Sequence, residues 1–247
     1  MNRVRFQTVA PIALSGTLVF SITLIGESRA RASTPTSVAA AYNHALADAL
    51  AKKYVVVESA STATNFRGVA TFLSGPTFAK ETATLTYSGP PFKFVEIVIG
   101  KSLYMTGTAA ALTDSLNFSK TNASKYQNEP LLLPSTNSLY LSTIDGTTTP
   151  SGVASIRMKG TVSEGKSITY KGQLVNVYSG NSVAMPGSPS VHETVYVSTT
   201  GDPVPVLVKG KSNGLNVTDS FSNWGVAFKV VAPTHAITIQ PSWTKLP

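Results

Sequence analysis

The chain has 247 residues, 42% hydrophobic and only 13% charged, with a formal charge of +8 and no cysteine. That hydrophobic share is ample for a core and excludes a disordered chain. The missing cysteine excludes disulfides, thiolate-bound zinc, a cysteine nucleophile and a lipidated N-terminal cysteine, and scattered lysines without a run of like charges argue against nucleic acid as a partner.

In chain order, residues 1–32 read as a secretory signal peptide. Arg3 and Arg5 give the basic start, residues 9–26 are apolar apart from Ser, Thr and Gly, and Ala30-Arg31-Ala32 is a small-x-small cleavage site. An uncleaved anchor is the alternative, since the apolar stretch is near the lower limit for a membrane span. Cleavage removes four of the 20 Lys/Arg and one of the 12 Asp/Glu, leaving 16 against 11, a charge of +5. The remainder, 33–247, shows no internal repeat or linker and reads as one exported domain, extracellular or attached to the cell envelope.

Residues 33–53 carry Val38, Tyr42, Leu46 and Leu50 at helical spacing behind candidate caps Thr34 and Thr36, which predicts a helix packed on a sheet. From 54 to 106 the period becomes two. Ala83, Leu85 and Tyr87 alternate with Thr82, Thr84 and Thr86, an antiparallel strand with one wet face. The next strand has Phe92 and Phe94 on one side and Val95 and Ile97 on the other, so both of its faces are covered.

Between 106 and 146 the alternation stops. Ala110, Leu112 and Leu116 suit one face of a short helix over 107–116, residues 122–127 extend or follow it, and 134–144 begins another with Pro134 and capping residues. Strands return from Val153, punctuated at Glu164-Gly165, Gly180-Asn181, Gly201-Asp202 and Asn213-Gly214, and end on the Trp224 segment. The order helix, strands, helical insert, strands gives an α+β domain.

Chemical motifs are scarce. His44, His192 and His235 are too far apart for a local metal site. The "HETVY" at 192–196 lacks the second histidine of a zinc-protease helix and sits in a strand pattern. Ser163 with Lys166, and Ser242 with Lys245, match an acyl-enzyme pattern without its companion motifs. No cofactor or metal is expected. An enzyme would need distant groups, such as Glu96, Asp114, Asp219 or a histidine, brought together in space.

Three segments, "LYMTGTAAALTDSL" (103–116), "VYVSTTGDPVPVLVKG" (195–210) and "FSNWGVAFKVVAP" (221–233), occur in the order seen in actinobacterial exported lipoproteins. The chain resembles the group related to the mycobacterial LppX/LprG lipoproteins over residues 36–235, without their lipobox cysteine. The resemblance implies a LolA/LolB-like fold: a curved antiparallel sheet, or half-open barrel, with the N-terminal helix and the helical insert on its concave face. In that group the space between sheet and helices holds acyl chains of lipids or glycolipids. Placed on this sequence, it would be lined by Leu85, Phe92, Phe94, Tyr104, Leu112 and Leu116. The implied function is non-enzymatic binding of a hydrophobic or amphipathic ligand at the envelope or membrane surface. A filled core, leaving an interaction module for a wall polymer or protein partner, is the other reading. An apolar cavity of about 300 Å³ or more would favour the first. Trp224 and Phe221 are expected to close one end of the sheet, with Gly225 allowing the turn and Pro233 ending a strand.

Overall fold

The structure, a computed structural model, describes residues 37–87, 89–137, 140, 148–182, 191–212 and 214–243. The signal segment and most of the helix expected over 134–144 lie outside the described residues; Tyr140 is helical and buried. Among the described residues no helix is long and apolar enough to cross a membrane.

Helix α1, Val38–Ala51, starts at Ser37, whose side chain accepts a hydrogen bond from the Ala40 N–H at 3.1 Å. Its buried face is Tyr42, Ala45, Leu46 and Ala49, whereas Leu50 is 39% exposed. The reason is geometric. Steps of four residues drift by about 40° each on a 3.6-residue helix, so a Val38–Tyr42–Leu46–Leu50 row winds off the face it starts on.

Four long antiparallel strands follow, β1 (Val55–Ala63), β2 (Phe66–Ser74), β3 (Phe78–Thr86) and β4 (Phe92–Ile99), then β5 (Ser102–Gly107). Helices α2 (Ala109–Ser115) and α3 (Lys120–Tyr126) form the insert, capped by the hydroxyls of Thr108 and Ser119. Ala111, rather than Ala110, joins Leu112 and Leu116 in the core. The sheet resumes inside the insert with β6 (Leu131–Pro134), which pairs with β5. A run of three leucines hides the alternation that would have announced it.

A further helix, α4 (Thr149–Ser155), stands where strands were expected to return; its short length and the interior Gly152 make it a poor helix by itself, and packing against α1 holds it. The second run of strands is β7 (Met158–Glu164), β8 (Ile168–Tyr170), β9 (Gln173–Ser182), β10 (His192–Ser198), β11 (Pro205–Ser212) and β12 (Leu215–Ser222). Strands β8 and β9 are joined by Lys171 (φ 47°) and Gly172 (φ 82°), a two-residue turn with both residues left-handed. Gly180-Asn181 is no turn and lies within β9.

The strands form one sheet in the order β13-β6-β5-β4-β3-β2-β1-β12-β11-β10-β9-β7, with β8 also on β9 and β13 (Ile237–Thr238) parallel to β6. Its ends do not pair with each other, so the barrel is open. Pairing of β1 with β12 joins the two runs of strands.

After β12 the chain does not continue as a strand over 223–233, because Asn223 (φ 54°) and Gly225 (φ 79°) are left-handed and the neighbouring β1 begins only at Val55, opposite the end of β12. Trp224 stacks on Phe221 with ring centroids 5.8 Å apart and donates its indole N–H to the Pro205 carbonyl at 2.7 Å. Gly225 (φ 79°) turns the chain beside Lys52, and Phe228 then packs on Tyr54 and Phe78.

Candidate functional site: the seam between two cores

The helix-covered face of the sheet carries two separate hydrophobic clusters. Under α2 and α3 lie Ala83, Leu85, Phe94, Leu103, Met105, Leu112, Leu116, Phe118, Leu131 and Leu133. Under α1 and α4 lie Tyr42, Leu46, Val153, Ile156, Tyr178, Val195, Val197 and Val208. The clusters share no residue. Between them part of the sheet floor has short side chains, where the register sets Ser59 opposite Ala70 and Ser61 opposite Gly68, next to the buried Phe72 opposite Val57. Nothing larger fits at Gly68, where a Cβ would fall 2.6 Å from the Ser61 hydroxyl.

Two cavities open on this seam. One, of about 10 Å³, is lined by Ser59, Ser61, Gly68, Ala70, Glu81, Leu85 and Phe94. The other, of about 20 Å³, lies among Val57, Phe72, Thr149, Val153, Asp219, Phe221 and Trp224. Each is room for about one water. Neither of these two cavities approaches roughly 300 Å³.

The seam also gathers acids. Glu81 on β3 and Glu96 on β4 are register partners, both 4% exposed, and occupy inward positions beside Ala83, Phe94 and Val98. Burial, and then the charge of Glu96, holds the Glu81 carboxyl well above the usual range; burial pushes Glu96 up to about 8. Asp219 on β12 faces Ser59 across the β1 register and is raised by burial to about 6. Glu193 on β10 is raised to about 8 by burial and by Asp219, and its Oε2 has no hydrogen-bond partner. The neighbouring Tyr42 hydroxyl, raised by burial and by Glu193, donates to the Ile156 carbonyl.

Raised, paired carboxyls can exchange protons, but the space beside Glu81 holds about one water and no histidine joins the acids. His44 is at the surface against Asp48 at 3.1 Å, and His192 and His235 are exposed. Asp114, raised by burial, acts on Tyr87. Among the described residues no group of three His, Cys, Asp or Glu is placed to hold a metal ion.

Of the six residues proposed from sequence, Leu85 and Phe94 line the first cavity. Leu112 and Leu116 are fully buried in the α2/α3 cluster, and Phe92 packs at its margin against Tyr87, ring centroids 5.1 Å apart. Tyr104 lies on the opposite face of β5 from Leu103 and Met105, in a row with Ile97 and Leu132. Sequence reasoning missed Glu81 as a site residue. Its signal is visible in retrospect: in 78–86 the alternation that turns Ala79, Ala83 and Leu85 inward turns Glu81 inward too.

Neither a family model nor a curated protein matches the chain by sequence. Solved structures do match. The lipoprotein LppX of Mycobacterium tuberculosis is similar at 14% identity with a TM-score of 0.50, over 78% of this chain and 97% of LppX. The chain has the LppX fold. LprF from Mycobacterium bovis matches at 15% identity and a TM-score of 0.46, over 77% and 95% of the two chains. A DUF1329 family protein from Desulfovibrio piger matches at 8% identity and a TM-score of 0.24, over 76% and 94%. The LppX likeness agrees with the open α+β half-barrel read from the sequence and fixes the architecture, in which the seam runs along the helix-covered face.

Proposed function

We propose that this chain is an exported, non-catalytic envelope protein that binds the apolar part of a lipid or glycolipid in the seam. One observation carries the reading: two independent cores, each with its own helical cover, meet over a floor of serine, alanine and glycine. Over Ser59, Ser61, Gly68 and Ala70 no large side chain ties one cover to the other, and with the buried Phe72 at the edge of that stretch the seam is there the plane along which the covers separate at least cost. The structure is then the closed form, and an acyl chain enters by parting the covers. The fold shared with LppX supports the reading.

Ala70 and Thr71 supply the test, being neighbours on opposite faces of β2. Ala70→Leu fills the seam floor and should lower affinity for a fluorescent acyl probe by about tenfold, a loss of one well-placed contact set; Thr71→Leu should leave it unchanged. Equal effects, with both variants folded by circular dichroism, would refute a seam site.

A second reading, a filled-core module that presents its surface to a wall polymer or protein partner, is favoured by the size of the cavities and by the complete burial of Leu112 and Leu116. It predicts that no acyl probe binds, and that the protein co-sediments with insoluble wall material.

A further inference from the structure

Glu81 and Glu96 do not behave as core residues should. Like charges placed directly opposite across two strands are unfavourable, and burying a carboxyl without a partner costs more again. Yet the register holds the two side chains opposite each other, at inward positions surrounded by Ala79, Ala83, Phe94 and Val98. Neither carboxyl joins a described ion pair, since His44–Asp48 and Lys52–Asp202 lie elsewhere.

Glu81 lines the first cavity together with Ser59 and Ser61, Glu96 stands opposite Glu81 across the β3–β4 register and lines neither cavity, and Asp219 lines the second with Thr148, Thr149 and Ser155. No Lys, Arg or His lines either one. The seam is thus rich in acceptors and hydroxyls and has no cation. Such a surface welcomes a group that donates hydrogen bonds and repels one that carries negative charge.

We infer that the Glu81–Glu96 pair is a polar subsite of the seam, taking a ligand group that donates hydrogen bonds and carries no negative charge, a hydroxyl or an ammonium. The inference rests on the lipid-binding reading and adds the chemistry of the ligand's polar part. The raised carboxyls fit it. A pair that shares a proton offers one acceptor and one donor to a hydroxyl, and releases that proton when an ammonium arrives.

Isothermal titration of the protein at pH 7.5 with 1-decanol, decylamine and decanoate tests it, since the three probes share one chain and differ in head group. The alcohol and the amine should each bind at least about tenfold tighter than decanoate, the value of one hydrogen bond to a charged or buried partner. In Glu81→Gln/Glu96→Gln that gap should close to within about threefold, mainly through weaker amine binding. This ranking in the unaltered protein decides the matter even if the double variant fails to fold. Equal binding of all three would overturn the subsite and leave the lipid reading standing. Binding of none would overturn both.

Discussion

The two halves of the covered face solve the same problem differently. Under α2 and α3 the apolar packing is close, with Leu103, Met105, Leu112, Leu116, Leu131 and Leu133 showing no exposed surface, and Glu81 and Glu96 are buried at its edge beside Ala83, Phe94 and Val98. Three rings seal its margin, with Tyr126 stacked on Trp243 at 4.2 Å and Phe118 edge-on to both at 6.5 and 6.3 Å. The half under α1 and α4 is built from alanines and valines and carries the buried Tyr42 hydroxyl, an unpartnered Glu193 oxygen and the larger cavity. Shape complementarity holds the first cover. Both halves bury carboxyls, but the second also has a cavity of about 20 Å³ between its helix and the sheet, and it is the cover expected to lift first.

Truncation should separate the halves most clearly. Leu112→Ala removes a fully buried side chain from a close-packed site and should cost about 2 to 5 kcal/mol, from lost transfer energy plus the cavity left behind. Val153→Ala, bordering a cavity already present, should cost only about 1 to 2 kcal/mol. Urea denaturation measures both. Equal costs would mean that the halves are packed alike.

Titration should separate them next. Folded Glu96, Glu193 and Asp219 retain protons that the unfolded chain has already released, so unfolding releases protons and stability falls as pH rises. The window runs from the usual carboxylate range near 4.5 to about 8 for the two glutamates, and to about 6 for Asp219. At about 1.4 kcal/mol per pH unit for each group still protonated, the loss between about pH 5 and 8.5 should reach several kcal/mol, about 10 °C or more in Tm. Glu193→Gln should flatten part of the slope and show the α1/α4 half's share of it. A profile that rises with pH contradicts the buried acid band.

The smallest expected effect is at the corner. Trp224→Phe keeps the stacking surface against Phe221 and loses the hydrogen bond to the Pro205 carbonyl, which should cost about 1 kcal/mol in a thermal melt.

What the sequence disclosed follows from how far each signal reaches. Alternation of Ala83 and Leu85 with Thr82 and Thr84, and the helical insert around Leu112, are local patterns and come through in the structure. Strand β6 escaped because Leu131, Leu132 and Leu133 are apolar on both faces, and α4 because it is short and carries Gly152 in its interior, so that its packing against α1 rather than local propensity holds it. The segment after Trp224 alternates like a strand but is turned away from the sheet by the left-handed Asn223 and Gly225. Glu81 could be read as inward-facing from its own strand. That it meets Glu96 depends on the β3–β4 register, and that it borders the seam cavity depends on how the two covers pack, which no local pattern encodes.

The central claim is that the seam opens to hold a lipid, and native mass spectrometry of the protein purified from its own membrane fraction tests it most directly. The account predicts a mass increment that survives desalting, is removed by organic extraction and is absent from the Ala70→Leu variant. A clean ligand-free mass from freshly isolated envelope material, with the protein folded, would contradict it and leave the filled-core reading in its place.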